Sequence, residues 1–479
     1  MKTIQLTPLA LSALFLFSAC NGTKQCLAPD LRIPDSFSIA AADSESVGDM
    51  TWMQYYGDPQ LCQLIDKALK NNHDVRIAAE RIVEMDKLFG AAKTALLPEL
   101  SARIYGNRET YDYSDKAAVI DPEYGAKLSL TWEADLWKKL SWGKKKGEAQ
   151  YLASVEDKRA MDILVISRVA EAYFTLLALD SELDIVRRTL ATREEGLKQA
   201  KLRFEGGLTS EMVYRQAEVE RTTTASLIPA LEEDIVLTEN ALHLLLGEYP
   251  GEPIPRPEIV LSEVVVKEPR VGIPSKLIER RPDLRAAEMR LKSAMADVGI
   301  KYAERFPSFT IGLTGGLENN KLEKFLQTPF SFVVGSLTAP VFDFGKRKKN
   351  YEAAVSKYNQ TKLAYEKAVM NAFKEVNDAI IAYRAARATA QLKTELRDAA
   401  MKYVELARLQ YIGGTSLYID VLDAQRRYFD AQIALSNAVK SEYLALVNLY
   451  KSLGGGWAVA EAQPSSDVGG DESVDNTEL

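Results

Sequence analysis

Gly413-Gly414-Thr415-Ser416-Leu417-Tyr418-Ile419-Asp420-Val421-Leu422-Asp423 is the stretch on which the reading of this chain turns. It separates two runs without glycine or proline, Lys346 to Tyr411 upstream and Leu417 to Ser452 downstream. A glycine pair followed by Thr-Ser supplies a helix stop, a tight turn and an N-cap in succession. The sequence therefore predicts a long helix that reverses onto a second one. At ~1.5 Å per residue the upstream helix would reach roughly 100 Å, far beyond the width of an ordinary domain.

The turn occurs twice. Phe204-Glu205-Gly206-Gly207-Leu208-Thr209-Ser210-Glu211-Met212 aligns without a gap on Tyr411 to Ile419. Working outward, Asp74-Val75-Arg76-Ile77-Ala78 corresponds to Asp283-Leu284-Arg285-Ala286-Ala287, Pro98 to Pro307, and Asp135-Leu136 to Asp343-Phe344. The spacing is 209 residues at the first two anchors, 208 at the third and 207 at the glycine pairs, which marks an internal duplication rather than chance. Each copy reads as helix, strand, strand, long helix, turn, return helix, with a kink expected at Pro229 in the first return helix.

The strands carry a second signal. In Gly125 to Trp137, Ala126, Leu128, Leu130, Trp132, Ala134 and Leu136 alternate with Lys127, Ser129, Thr131, Glu133 and Asp135. That is the period of a membrane-barrel strand, apolar to lipid and polar to the lumen. Period alone leaves open a strand pair on a soluble helical protein. Leu100 to Gly106 alternates more weakly, and Tyr111 to Tyr124 is expected to be the loop between them. In the second copy Phe309 to Leu317 alternates well, whereas Phe330 to Val341 carries apolar residues on both faces.

The expected boundaries are a signal peptide at 1–19, a lipidated extended segment at 20–55, a first repeat at 56–248, a link at 249–275, a second repeat at 276–453 and a flexible acidic tail at 454–479. Within the repeats, strands are expected at about 99–111, 125–137, 308–318 and 330–341, and the turns at 206–210 and 413–416. Lys2, the apolar run Leu9 to Phe17, and Ser18-Ala19 form a short cleavable signal. Cys20 then stands where a bacterial lipobox places its acylated thiol, although Phe17 occupies the position where Leu is commonest. Ordinary cleavage with Cys20 as a bystander is the alternative. No apolar run approaches ~20 residues, so no transmembrane helix is available.

Composition excludes more than it specifies. A net charge of −7 gives no electrostatic reason to expect nucleic acid. Two histidines and three cysteines (Cys20, Cys26, Cys62) show no zinc spacing and no catalytic constellation, so neither cofactor nor enzymatic activity is expected. His73 and His243 fall on different helices and read as surface or packing residues. Four strands cannot close a barrel, and open edges in lipid leave backbone groups unpaired at several kcal/mol each. Several chains must then share one barrel, and a barrel of more than about eight strands is needed for a channel. Three copies are the smallest number that meets this condition.

Gly272-Ile273-Pro274-Ser275-Lys276-Leu277-Ile278-Glu279-Arg280-Arg281-Pro282-Asp283-Leu284-Arg285-Ala286-Ala287-Glu288 resembles the signature of the TolC-like outer-membrane efflux ducts, in particular the lipoprotein branch serving resistance-nodulation-division pumps. The resemblance covers nearly the whole chain, from about Trp52 to Gly456. It implies an α+β membrane protein: a homotrimer whose twelve-stranded outer-membrane β-barrel is continued by an α-helical coiled-coil tunnel across the periplasm. It further implies docking to a periplasmic adaptor and an inner-membrane pump. The family's tip aspartates fall on Asp420 and Asp423 and its gate-linking tyrosine on Tyr411. Asp420 and Asp423, three apart, share a helix face, and threefold symmetry would turn them into two carboxylate rings. A single aspartate near a helix N-terminus is also favoured by the helix dipole alone. Ser416 stands where some members carry a locking Arg, and Val213 where they carry an Asp, so closure by packing of Leu417, Tyr418 and Tyr411 is the alternative to a salt-bridge latch. Gly206, Gly207, Gly413 and Gly414 would be the tips that meet the adaptor. A duct for protein secretion and a lipid-anchored periplasmic scaffold remain as competing functions.

Overall fold

The computed structural model describes residues 23–31, 33–34, 46–111, 119–256, 274–339 and 342–455. Cys20, the β-prone run in the link and the acidic tail beyond 455 lie outside the described residues.

The chain runs through α1 (Trp52–Tyr56), α2 (Pro59–Asn71), α3 (His73–Thr94), β1 (Glu99–Tyr111), β2 (Val119–Ala134), α4 (Lys139–Glu205), α5 (Glu211–Ala225) and α6 (Leu227–Leu245). The second half repeats the order: α7 (Pro274–Arg280), α8 (Pro282–Ala303), β3 (Ser308–Asn319), β4 (Thr328–Thr338), α9 (Lys346–Ile412) and α10 (Tyr418–Ser452). The two copies agree closely in length. α3 and α8 each hold 22 residues, and α4 and α9 each hold 67.

Local chemistry explains the boundaries, including those that differ from the sequence expectation. Asn72 divides α2 from α3 because its side-chain oxygen accepts from the N–H groups of Asp74 (2.9 Å) and Val75 (3.2 Å). α4 begins at Lys139, ahead of the expected start after Gly143. Lys138 takes the left-handed conformation (φ 60°), and Asp135 accepts from the N–H groups of Leu140 (2.9 Å) and Ser141 (2.8 Å). Asp343 does the same before α9, accepting from Gly345 N–H at 3.0 Å and Arg347 N–H at 3.2 Å. The first return helix is interrupted for one residue at Ser226, between α5 and α6, where the chain keeps right-handed helical angles (φ −68°, ψ −14°). Pro229 has no N–H for the Ala225 carbonyl, and its ring crowds that carbonyl. α10 has no proline and runs unbroken.

β2 starts at Val119, six residues before the expected Gly125, and ends at Ala134. The alternation continues backwards, with Asp121 and Glu123 against Ile120, Pro122 and Tyr124. Pro122 masks it by reading as a breaker, although it pairs in register with Arg108. β4 likewise starts at Thr328, before the expected 330, and ends at Thr338; residues 340 and 341 of the expected range lie outside the described residues.

The four strands form one antiparallel sheet in the order β1-β2-β3-β4, with no bulge in any ladder. β1 and β4 are its free edges. Register puts Arg103, Tyr105, Lys127, Glu133 and Glu318 on one face, and Leu100, Ile104, Leu128, Leu130, Ile311 and Leu313 on the other. Polar contacts knit the first face: Tyr105 donates to Glu123 (3.0 Å) and Glu318 (3.2 Å), and Ser129 meets Thr314 at 3.1 Å. The apolar face is open in the single chain, and no helix among the described residues is long and apolar enough to cross a membrane. The alternation of the sheet's two faces has the period of membrane-barrel strands.

Trp137 joins the copies beneath the sheet by donating to the Pro307 carbonyl at 2.6 Å and stacking on Phe306. The thickest core lies farther along the helices. There Tyr55 stacks on Tyr450 at 4.3 Å, donates to the Leu446 carbonyl, and packs with Tyr56, Phe174 and Tyr443. Arg281 closes this region, pairing with Asp283 and Glu375 (2.7 Å each) and donating to the Ser452 carbonyl at 3.2 Å. Arg280 pairs with Asp49. The Arg-Arg-Pro-Asp signature thus fastens the start of α8 to the end of α10 and to the N-terminal segment.

Candidate functional site

The two long helices end in the same turn. Gly206 and Gly413 keep near-helical angles, and Gly207 (φ 71°) and Gly414 (φ 74°) are left-handed. Leu208 N–H donates back to the Arg203 carbonyl at 2.8 Å, and Thr415 N–H to the Gln410 carbonyl at 2.9 Å, which closes a Schellman motif in each copy. Nothing lies within 4 Å of where a Cβ at Gly207 or Gly414 would stand. Glycine is required there by φ alone, and both tips are exposed.

Among the sequence-predicted residues, the structure brings Tyr411 and Tyr418 together, with ring centroids 5.6 Å apart. Burial, with Tyr411 and Glu220 nearby, pushes the Tyr418 phenol above its ordinary range. Tyr411 also packs against the small apolar cluster of Ala407, Val421 and Ala424. The expected packing of Leu417 is not made within one chain. It precedes the first residue of α10 and points outward, 71% exposed.

The aspartates lie on one face but hold separate local partners. Asp420 accepts from Leu417 N–H at 2.9 Å, an N-terminal cap from the third helical position. Asp423 pairs with Arg427 at 2.8 Å. Both contacts are exposed.

Sequence reasoning did not find the cations that tie the two hairpins together. Arg203, near the end of α4, donates to the Tyr411 hydroxyl at 2.9 Å. One helical stretch farther in, Glu220 of α5 accepts from Arg426 of α10 at 2.7 Å and pairs with Arg193 of α4 at 3.2 Å. Arg193 also donates to the Glu220 carbonyl and to Thr224, and lies over the Phe429 ring. Burial draws its guanidinium down from the ordinary range, and Glu220 opposes that shift. No local sequence signal marks the ties between the hairpins, because each partner sits about two hundred positions away in the other copy.

His243 is buried, with Nε2 at 3.0 Å from the Glu252 carbonyl, and His73 is exposed at the start of α3. No group of metal-ligating side chains occurs among the described residues. The sequence matches the family model for outer membrane efflux proteins over residues 64–248 and again over 273–455. The chain belongs to that family. The probable outer membrane lipoprotein SilC of Salmonella typhimurium is 30% identical over 463 residues, which cover 94% of this chain and 98% of that protein. The toluene efflux pump outer membrane protein TtgI of Pseudomonas putida is 30% identical over 414 residues, covering 85% of this chain and 88% of that one. Among solved structures, the open state of the MtrE outer membrane channel of Neisseria gonorrhoeae superposes with a TM-score of 0.81 at 28% identity, covering 90% of this chain and 97% of that one. This efflux protein is an exit duct of the outer membrane that extends into the periplasm, and it is a conduit rather than an enzyme.

Proposed function

We propose that three copies close a twelve-stranded barrel and that their long helices continue it as a tunnel towards a periplasmic adaptor and an inner-membrane pump. The observation that carries this reading is the sheet itself. It has one apolar face, one charged face and two unpaired edges, β1 and β4. Unpaired edges in hydrocarbon cost several kcal/mol per group, so the edges must meet those of other copies. Three four-stranded sheets are the fewest that leave an open lumen.

The same geometry supports the anchor. The N-terminal segment lies along the start of α9: Tyr358 donates to the Leu27 carbonyl at 3.0 Å, and Asp30 N–H donates to Glu366 at 3.2 Å. Leu27 is thus about 18 Å along the helix from its membrane end, counted from Lys346 to Tyr358. Acylation is proposed at Cys20, seven residues before Leu27 and ahead of the turn that Cys26 N–H closes on the Thr23 carbonyl at 2.9 Å.

The far end carries the gate. The exposed glycine turns, Gly206-Gly207 and Gly413-Gly414, are the surfaces an adaptor would grip. Asp420 and Asp423 form carboxylate rings around the axis, and Tyr411 and Tyr418 hold the second hairpin against the first. Leu417 is left to pack against other copies. Purified full-length protein in planar bilayers should form channels from heat-sensitive trimers. Asp420→Ala combined with Asp423→Ala should raise single-channel conductance and weaken block by divalent cations. Unchanged conductance and block would remove these carboxylates from the filter.

A further inference from the structure

β4 carries a pattern that insertion into lipid does not require. Its lipid-type face already holds Val333 and Leu337. On the other face, in register with the charged lining, stand Phe330, Phe332 and Val334, opposite Gly316, Thr314 and Gly312 of β3. The same rows continue across the sheet into polar side chains, Lys127, Ser129 and Thr131 of β2. The two rings lie nearly parallel, with centroids 6.0 Å apart and planes at 16°.

Aromatic side chains often fold over a cross-strand glycine, and such a structural use would consume the ring surface. Phe330, the ring opposite Gly316, is partly buried, but Phe332, opposite Thr314, remains 48% exposed in the single chain and Val334 46%. Apolar surface held towards a water-filled lumen is unfavourable unless something covers it. In a duct, what passes along the lining is the exported compound.

We propose that Phe330, Phe332 and Val334 form an apolar sliding contact for amphipathic cargo with an aromatic or aliphatic surface, while the adjoining polar sector hydrates its charged part. The inference rests on the reading that three copies close a barrel with the charged face inside. Three such stripes would then run along the lumen between polar sectors. A shallow contact of this kind suits a conduit, because a passing molecule must bind weakly enough to leave. It also gives the duct a preference of its own, for apolar over purely polar ions of equal charge.

The test uses the full-length trimer in planar bilayers. Tetraphenylphosphonium is the aromatic cation, and tetraethylammonium carries the same charge without rings. Tetraphenylphosphonium should block at lower concentration than tetraethylammonium. Phe330→Ser with Phe332→Ser should weaken tetraphenylphosphonium block about tenfold, the scale of losing aromatic contacts, and leave tetraethylammonium unchanged. Should that variant fail to assemble, Phe330→Leu with Phe332→Leu keeps the apolar bulk and should weaken the block about threefold. A charged, membrane-impermeant thiol reagent should lower conductance of Phe332→Cys but not of Val333→Cys. Equal block in wild type and variants, or a Phe332→Cys thiol shielded by a neighbouring copy, overturns the stripe. A wild-type protein that forms no channel overturns the barrel reading instead.

Discussion

Replacing Glu220 with Gln removes one charge from the tie between the hairpins, and the structure sets the scale of the loss. Its two cationic partners differ in setting. The Arg193 side chain is only 8% exposed and the Glu220 side chain 14%, whereas Arg426 is 54% exposed. Breaking a buried ion pair from one side costs about 3–5 kcal/mol, because the remaining charge is left without compensation. Arg193 keeps two neutral acceptors, the Glu220 carbonyl and the Thr224 hydroxyl, and the introduced amide can still accept one hydrogen bond. The expected cost is therefore lower, about 2–3 kcal/mol. The Arg426 half is a surface pair worth about 0–1 kcal/mol. Denaturant unfolding of detergent-purified protein should show Glu220→Gln clearly destabilised and Arg426→Ala nearly silent. A double-mutant cycle should give a large coupling for Arg193 with Glu220 and a small one for Arg426 with Glu220. Glu220→Gln within about 0.5 kcal/mol of wild type, the range of ordinary surface changes, would refute the argument that this carboxylate is the hub.

Three further outcomes are expected. Gly414→Ala forces a Cβ into a left-handed residue with free space around it, so thermal unfolding should report a purely conformational loss of about 1–2 kcal/mol. Arg281→Ala should lower stability by about 1–3 kcal/mol, a value discounted because Asp283 and Glu375 are about half exposed, and Arg281→Lys should not restore it because the paired donors are lost. Burial raises the Asp162 carboxyl against the opposing pull of Lys158. A carboxyl raised on folding contributes stability that is full below its unfolded value of about 3.9 and is lost as pH rises through the higher folded value. Melting curves should show wild type gaining relative to Asp162→Asn on acidification through that window, because the variant lacks this contribution.

The duplication, the reversals at Gly206-Gly207 and Gly413-Gly414, and the alternation of Leu128, Leu130 and Trp132 were legible because each is written in neighbouring residues. Turn chemistry and side-chain period act over a few positions, so a reader of the chain meets the whole cause at once. The start of α4 was hidden by Lys138, a residue type that rarely adopts positive φ, and the first six residues of β2 were hidden by Pro122. The ties at the tip were not legible at all. Arg203 with Tyr411 and Arg426 with Glu220 join separate copies, and each partner alone reads as a solvated charge on a long helix. Leu417, at the outside of a chain reversal, is 71% exposed in the single chain, so its packing depends on contacts between copies.

The copies match in length but differ at their tips. Helices α4 and α9 hold 67 residues each, so both hairpins reach the same level, and an equal reach is what a closed end requires. The first hairpin returns through a helix interrupted at Ser226 and carries Val213 where the second carries Asp420. Both cross-ties run from the first hairpin to the second, from Arg203 to Tyr411 and from Glu220 to Arg426. Separating the two hairpins would break both ties, and one of them is anchored through Glu220 to the buried Arg193, so the cost of separation is set some distance inside the helical wall.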